Sequence, residues 1–197
     1  MDQTTSRQSH VAHPMTIARD RAALVIIDVQ ERLFHAMDAD HREEVMRNIK
    51  VLATAARRLG LPMLVTEQYP KGLGHTLEEL TQSLGSDVRP IEKVRFSCCG
   101  VEEFQDRLDR TGARQIVLAG IEAHVCVLLS ALDLLAAGYA VHVAADAVTS
   151  RTQANWRLAM DQLRQAGAVV TATETVLFQL LRQGDTDEFR ELARLIR

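Results

Sequence analysis

Three side chains in this 197-residue sequence carry the groups needed for acyl transfer. Cys126 ends the stretch Ile116-Val-Leu-Ala-Gly-Ile-Glu-Ala-His-Val-Cys126, six residues after Gly120. Residues 116–119 are apolar and β-branched, as in a buried strand, and Val125, Leu128, Leu129, Leu132 and Leu135 recur at helical spacing from Ala123 onward. A cysteine between such a strand and such a helix falls in the helix's first turn, where unpaired N–H groups favour thiolate over thiol. Asp28 ends the apolar run 22–27, so its carboxylate is expected at a strand end, partly desolvated and able to exchange a proton with a thiol. Lys93 ends a short extended piece and could stabilise a thiolate or orient a carboxylate. First-turn position and Lys93 together predict a Cys126 pKa well below the free-thiol value of about 8.5. Each residue also has a plain structural role open to it. Cys126 would serve as a small buried hydrophobe, Asp28 as a cap for a helix beginning near Gln30, and Lys93 as a solvated cation.

The elements that would position these groups are legible from hydrophobic patterning. Apolar runs at 22–27, 62–66, 116–119, 140–145 and 168–171 read as strands, with a short extended piece at 88–93. Val45, Ile49, Leu52, Ala56 and Leu59 repeat at helical spacing and Gly60 stops them. Further helices are expected at 101–108, from Ala123, at 154–165, at 174–182 and at 186–197. Residues 150–153 (Ser-Arg-Thr-Gln) show capping-box spacing before the helix at 154–165. Residues 67–74 contain Pro70, Gly72 and Gly74 and read as a loop. Alternating helices and wholly apolar strands predict an α/β fold, a three-layer α/β/α sandwich whose mostly parallel sheet has about six strands and Rossmann-like topology. Function in such folds gathers at the carboxyl ends of the strands. Asp28, Glu67, Gly120 and Asp146 are all expected there.

Composition narrows the function. A formal net charge of −3, with acidic and basic residues interleaved, leaves no electrostatic footprint for nucleic acid or an anionic membrane. Three cysteines, two of them the adjacent Cys98 and Cys99, make a poor disulfide framework, and a reducing, cytoplasmic setting is expected. No histidine spacing suggests a metal site, and no apolar run is long enough to span a bilayer. Residues 1–16 read as a flexible N-terminal tail and 17–197 as a single domain.

Residues 25–34 (Val-Ile-Ile-Asp-Val-Gln-Glu-Arg-Leu-Phe), Lys93 with Phe96-Ser97, and Gly120-Ile-Glu-Ala-His-Val-Cys126 together resemble the isochorismatase-like cysteine hydrolase superfamily. Nicotinamidases and N-carbamoylsarcosine amidohydrolases belong to it. Residues 66–74 and 118–123 resemble more narrowly its isochorismatase domain-containing subgroup. The resemblance implies a catalytic triad of Asp28, Lys93 and Cys126 and a cis peptide between Ile121 and Glu122. It also implies an oxyanion hole from the N–H groups of Glu122 and Cys126, and homo-oligomers, dimers or larger. Phe34, Tyr69, Phe96 and Glu122 flank the implied site as substrate-pocket residues.

Three departures shape the expectation. Ala123 stands where many amidohydrolases of the superfamily carry threonine. Residues 67–76 contain only His75 where nicotinamidases carry a metal-binding cluster, so neither a metal nor another cofactor is expected. Cys126 itself argues against isochorismate, whose hydrolases lack the cysteine. The resulting expectation is cysteine-dependent hydrolysis of an amide or carbamoyl C–N bond in a small molecule, through a thioester. A non-catalytic binding or scaffold protein, or a thiol sensor built on Cys126, are the alternatives on the same fold.

Overall fold

Strand residues buried on both faces need cover on both faces, and the chain supplies it. A computed structural model describes residues 13–196. Six strands, β1 (Ala22–Ile27), β2 (Met63–Gln68), β3 (Ile91–Lys93), β4 (Gln115–Ile121), β5 (Ala140–Thr149) and β6 (Val169–Thr171), form one sheet in the order β3-β2-β1-β4-β5-β6. Every pairing between them is parallel. The helices are α1 (Glu31–His35), α2 (Arg42–Leu59), α3 (Pro70–Leu73), α4 (Glu78–Leu84), α5 (Glu102–Thr111), α6 (Leu128–Ala136), α7 (Gln153–Gln165), α8 (Thr173–Leu181) and α9 (Asp187–Leu192).

Side chains alternate across each strand, and this splits the core in two. Leu24 and Ile26 face a layer built from α2, α4, α8 and α9, with Ile49, Leu52, Leu80 and Leu177 at its centre. Ala23, Val25 and Ile27 face α5, α6 and α7, with Phe104, Leu134 and Met160. The result is a three-layer α/β/α sandwich. Chain order reverses direction between β1 and β4, so the crevice beyond their carboxyl ends is the topological switch point, where ligands bind in open α/β sheets.

Several local expectations are corrected. β5 does not stop at Asp146 but runs on to Thr149, because its register against β4 shifts between Leu118 and Gly120 and pairing then resumes. Asp146 therefore lies within the strand, and its Oδ1 accepts from the N–H and hydroxyl of Thr173, 2.8 and 2.9 Å away, at the start of α8. The cap of α7 is Thr152, whose hydroxyl accepts from Asn155 N at 3.2 Å, and not Ser150, which is wholly buried. The expected loop at 67–74 encloses the single turn α3, and the last expected helix is split into α9 and a 3-10 turn, Ala193–Ile196. Of the expected tail, residues 1–12 lie outside the described residues. His13–Thr16 form a turn, and Gln115 Nε2 donates to the carbonyl of Thr16 at 2.9 Å. No helix among the described residues is long and apolar enough to cross a membrane.

Candidate active site

Asp28, Lys93 and Cys126 come together at the switch point from three strand ends. β1 stops at Ile27, and Asp28 takes a positive φ of 53°, a conformation that aspartate tolerates better than bulkier residues. Its main-chain N–H still donates to Thr66 O at 3.1 Å, so the turn keeps a ladder-like bond to β2. Asp28 does not cap α1. Gln30 occupies that position, and both carboxylate oxygens of Asp28 are engaged elsewhere. Oδ2 lies 2.6 Å from Lys93 Nζ, with neither side chain exposed (0%/0%). Oδ1 accepts from Thr66 Oγ1 at 2.7 Å.

Lys93, the last residue of β3, is not a solvated cation. Besides Asp28, its ammonium donates to Gln68 Oε1 at 2.7 Å, Phe96 O at 3.0 Å and Arg95 O at 3.2 Å. Such dense satisfaction is what a buried charge requires. Gln30, itself fully buried, braces the same rim. Its Nε2 donates to Gln68 O (2.9 Å) and Gly74 O (2.7 Å), while its Oε1 accepts from Gln68 N (2.7 Å). Thr66, Gln68 and Gln30 were not singled out in the sequence, because polar residues near predicted loops look alike until their partners are known.

Cys126 sits in a π-helical turn, Ala123–Val127, that precedes α6, so the first turn is wider than an ordinary helix start. The peptide between Ile121 and Glu122 is cis. The Glu122 carbonyl accepts from the N–H groups of both Val125 and Val127 at 3.1 Å, shaping the turn around the cysteine. The thiol is buried close enough to Asp28 and Lys93 for both charges to act on it. Its pKa is not lowered. Burial, reinforced by the adjacent Asp28 carboxylate, pushes it up to about 12 against a smaller opposing pull from Lys93. Burial also raises the Asp28 pKa, opposed by Lys93, Thr66 and Cys126. At rest the sulfur is a thiol beside a potential base, not a standing thiolate. Cys99 is the thiol held low, chiefly by a hydrogen bond from Cys98.

The expected pocket residues separate. Tyr69 lines a cleft of about 470 Å³ with Lys71, Glu92, Lys93, Arg95 and Val101. Phe96 is exposed, and its carbonyl holds Lys93. Phe34 is 7% exposed, packs in the core on the α2 side and borders a different cleft with Arg42 and Leu77. Glu122 is buried and bound by Arg151, a partner 29 residues away that no sequence spacing indicated. Among the described residues no group of three or more His, Cys, Asp or Glu side chains could hold a metal. His75 instead pairs with Glu67 at 3.1 Å, and Glu67 also binds Thr76.

The fold and this buried cluster at its switch point define a Rossmann-like α/β protein of the isochorismatase-like hydrolase class. The isochorismatase domain matches residues 22–175, and the chain belongs to that family. Isochorismatase domain-containing protein 2 of Danio rerio is 38% identical over 176 residues, covering 89% of this chain and 86% of that protein. A solved structure described as MAR1 ribonuclease from Caenorhabditis elegans superposes with a TM-score of 0.85 at 38% identity, covering 91% of each chain. The YcaC gene product of Escherichia coli, described as an octameric hydrolase of unknown specificity, superposes with a TM-score of 0.87 at 25% identity, over 94% of this chain and 91% of that one.

Proposed function

We propose that the chain is a cysteine-dependent hydrolase that cleaves the C–N bond of a small amide or carbamoyl compound through a thioester on Cys126. The observation that carries this reading is the buried contact between Asp28 and Lys93 beside a buried Cys126 thiol on which both charges act. As the sulfur attacks the substrate carbonyl, Asp28 takes the thiol proton. Proton transfer and attack go together, because a thiol with a pKa near 12 does not ionise ahead of its target. Lys93 holds Asp28 oriented and offsets its charge. The oxyanion of the tetrahedral intermediate is received by the N–H groups of Glu122 and Cys126. Asp28 then returns the proton to the departing nitrogen, the C–N bond breaks, and the thioester remains. Water attacks the thioester, losing a proton to Asp28. Collapse releases the acid, and the proton goes back to sulfur.

The cleft beside Tyr69 and Lys93 is of a size for a small organic molecule. The catalytic unit is one domain, residues 17–197, with no metal or other cofactor, working in the cytoplasm. Three cysteines without a disulfide suit that compartment. By analogy with the octameric YcaC product, the chain assembles as a homo-oligomer, a dimer or larger. RNA is the competing substrate because of the relative described as a ribonuclease. A net charge of −3 gives little purchase on a phosphate backbone.

The test is a panel of primary amides, carbamoyl compounds, esters and an RNA oligonucleotide, with intact-mass detection of the enzyme. Acylation confined to Cys126 by an amide or carbamoyl compound is the expected result. RNA cleavage that survives Cys126→Ser, or turnover without an acyl-enzyme, would defeat the proposal.

A further inference from the structure

Beside the reactive turn lies a second ion pair that the triad does not use. Glu122 is 4% exposed, and its carboxylate meets the Arg151 guanidinium along one edge: Nε donates to Oε2 at 2.8 Å and Nη2 to Oε1 at 2.9 Å. Arg151 stands in the loop between β5 and α7 with 60% of its side chain exposed, so a partly solvated cation reaches in to hold a buried anion. His124 approaches the same carboxylate at 4.0 Å and is tied through Nδ1 to Ser150 Oγ at 3.0 Å. The Glu122 carbonyl is fixed by the N–H groups of Val125 and Val127. Side chain and carbonyl of Glu122 are thus both anchored, which holds the residue in place between the cis peptide that carries its N–H and the turn around Cys126.

We propose that Arg151 is a positioning residue for the oxyanion site: its two-pronged grip on Glu122 aims the Glu122 N–H and cancels a negative charge that would oppose the oxyanion. This rests on the acyl-transfer reading above. Planar, two-point binding is a property of arginine that lysine does not reproduce. An anion left unpaired and buried four residues from the nucleophile would repel the charge that develops on the substrate oxygen. The ground state, with a neutral carbonyl, would feel it far less.

The test uses p-nitrophenyl acetate as acyl donor and iodoacetamide as alkylating probe, on the full chain. Arg151→Gln should lower the acylation rate constant on the order of ten- to a hundredfold with KM little changed. Arg151→Lys, which keeps the charge and loses the fork, should fall between it and wild type. Alkylation of Cys126 develops no oxyanion, so its rate should stay within about twofold of wild type in both variants. The double variant Glu122→Gln/Arg151→Gln removes the stranded anion and should acylate faster than Arg151→Gln alone. It contains no unpaired buried charge, so it remains informative if Arg151→Gln does not fold. An Arg151→Gln enzyme that acylates like wild type, a double variant no faster than the single, or equal losses in acylation and alkylation would overturn the proposal. A wild-type enzyme that forms no acyl-Cys126 with any panel member would instead overturn the parent reading.

Discussion

Gly120 and Ile27 face each other across the β4–β1 pairing so closely that a Cβ on Gly120 would stand 2.6 Å from Ile27 N and nearer still to Ile27 O. Gly120 also has a φ of +114°, open to glycine and strained for any other residue. The two strands that deliver Asp28 and Cys126 are therefore drawn together by the lack of a side chain. Gly120→Ala should cost at least about 3 kcal/mol, from overpacking plus an unfavourable φ, with neither β1 nor β4 backbone able to yield easily. Urea denaturation checks this, and a loss under 1 kcal/mol would mean that the strands part without difficulty.

The buried pair predicts an asymmetry between its partners. Asp28→Asn keeps shape while removing the base, and acylation should fall by at least about a hundredfold. Lys93→Met strands the Asp28 carboxylate and should cost about 3–5 kcal/mol of stability as well as activity. Combining the two changes should recover much of that stability with no recovery of turnover. Thermal melting beside acyl-Cys126 mass detection separates the effects. A double variant less stable than Lys93→Met would show that the charge pairing is not what holds these residues.

The pH response follows from the direction of the Asp28 shift. Asp28 accepts a proton only when ionised, and burial raises its pKa from the ordinary 3.8. The acid limb of kcat/KM should therefore lie above that value. A raised carboxylate pKa means that the stability linked to this group is full below the unfolded pKa and is lost as pH rises through the folded one. Asp28→Asn should flatten that part of the stability profile. An acid limb at or below 3.8 would contradict the assignment of Asp28 as base.

Thiol labelling should run against the low Cys126 pKa expected from the sequence. Cys99 is half-buried with a lowered pKa, while Cys98 is fully buried and raised and Cys126 is raised to about 12. Limited iodoacetamide at neutral pH is expected to modify Cys99 before Cys126, with Cys126 accelerating into the alkaline range. Peptide mapping against pH decides it. Rapid, pH-independent Cys126 labelling near neutrality would restore a standing thiolate.

No three-ligand cluster occurs among the described residues, and Glu67 already serves Thr76 and His75. Elemental analysis should find no stoichiometric zinc, iron or manganese, and activity should survive chelation. A stoichiometric metal would redirect attention to a nicotinamidase-like chemistry.

What the sequence disclosed, and what it hid, divides along physical lines. Residues 22–27 and 116–119 are readable as central strands because burial on both faces leaves no polar position. Asp28 stands out because it ends such a run, and Cys126 because it falls between such a run and a helical repeat. The direction of the Cys126 pKa was misjudged since first-turn position and Lys93 are visible in sequence, whereas the depth of burial and the nearness of Asp28 are not. Asp146 looked like a strand end because a polar residue after an apolar run usually is one, and only the register shift in β5 lets pairing continue past it. Arg151 could not be matched to Glu122 at all, because the two meet through folding rather than through any local repeat.

Asp28 and Lys93 are 65 residues apart in the chain, and the cysteine follows only after one further strand, β4, and the crossover through α5 that precedes it. Non-local pairings of this kind form late in folding, after long loops have been closed. A chain still being synthesised, or one that has collapsed without docking β1 between β2 and β4, has a cysteine but no partner for it. Acylation assisted by Asp28 and Lys93 thereby waits until the last central strand is seated, and its appearance in a refolding experiment should trail the recovery of helical signal.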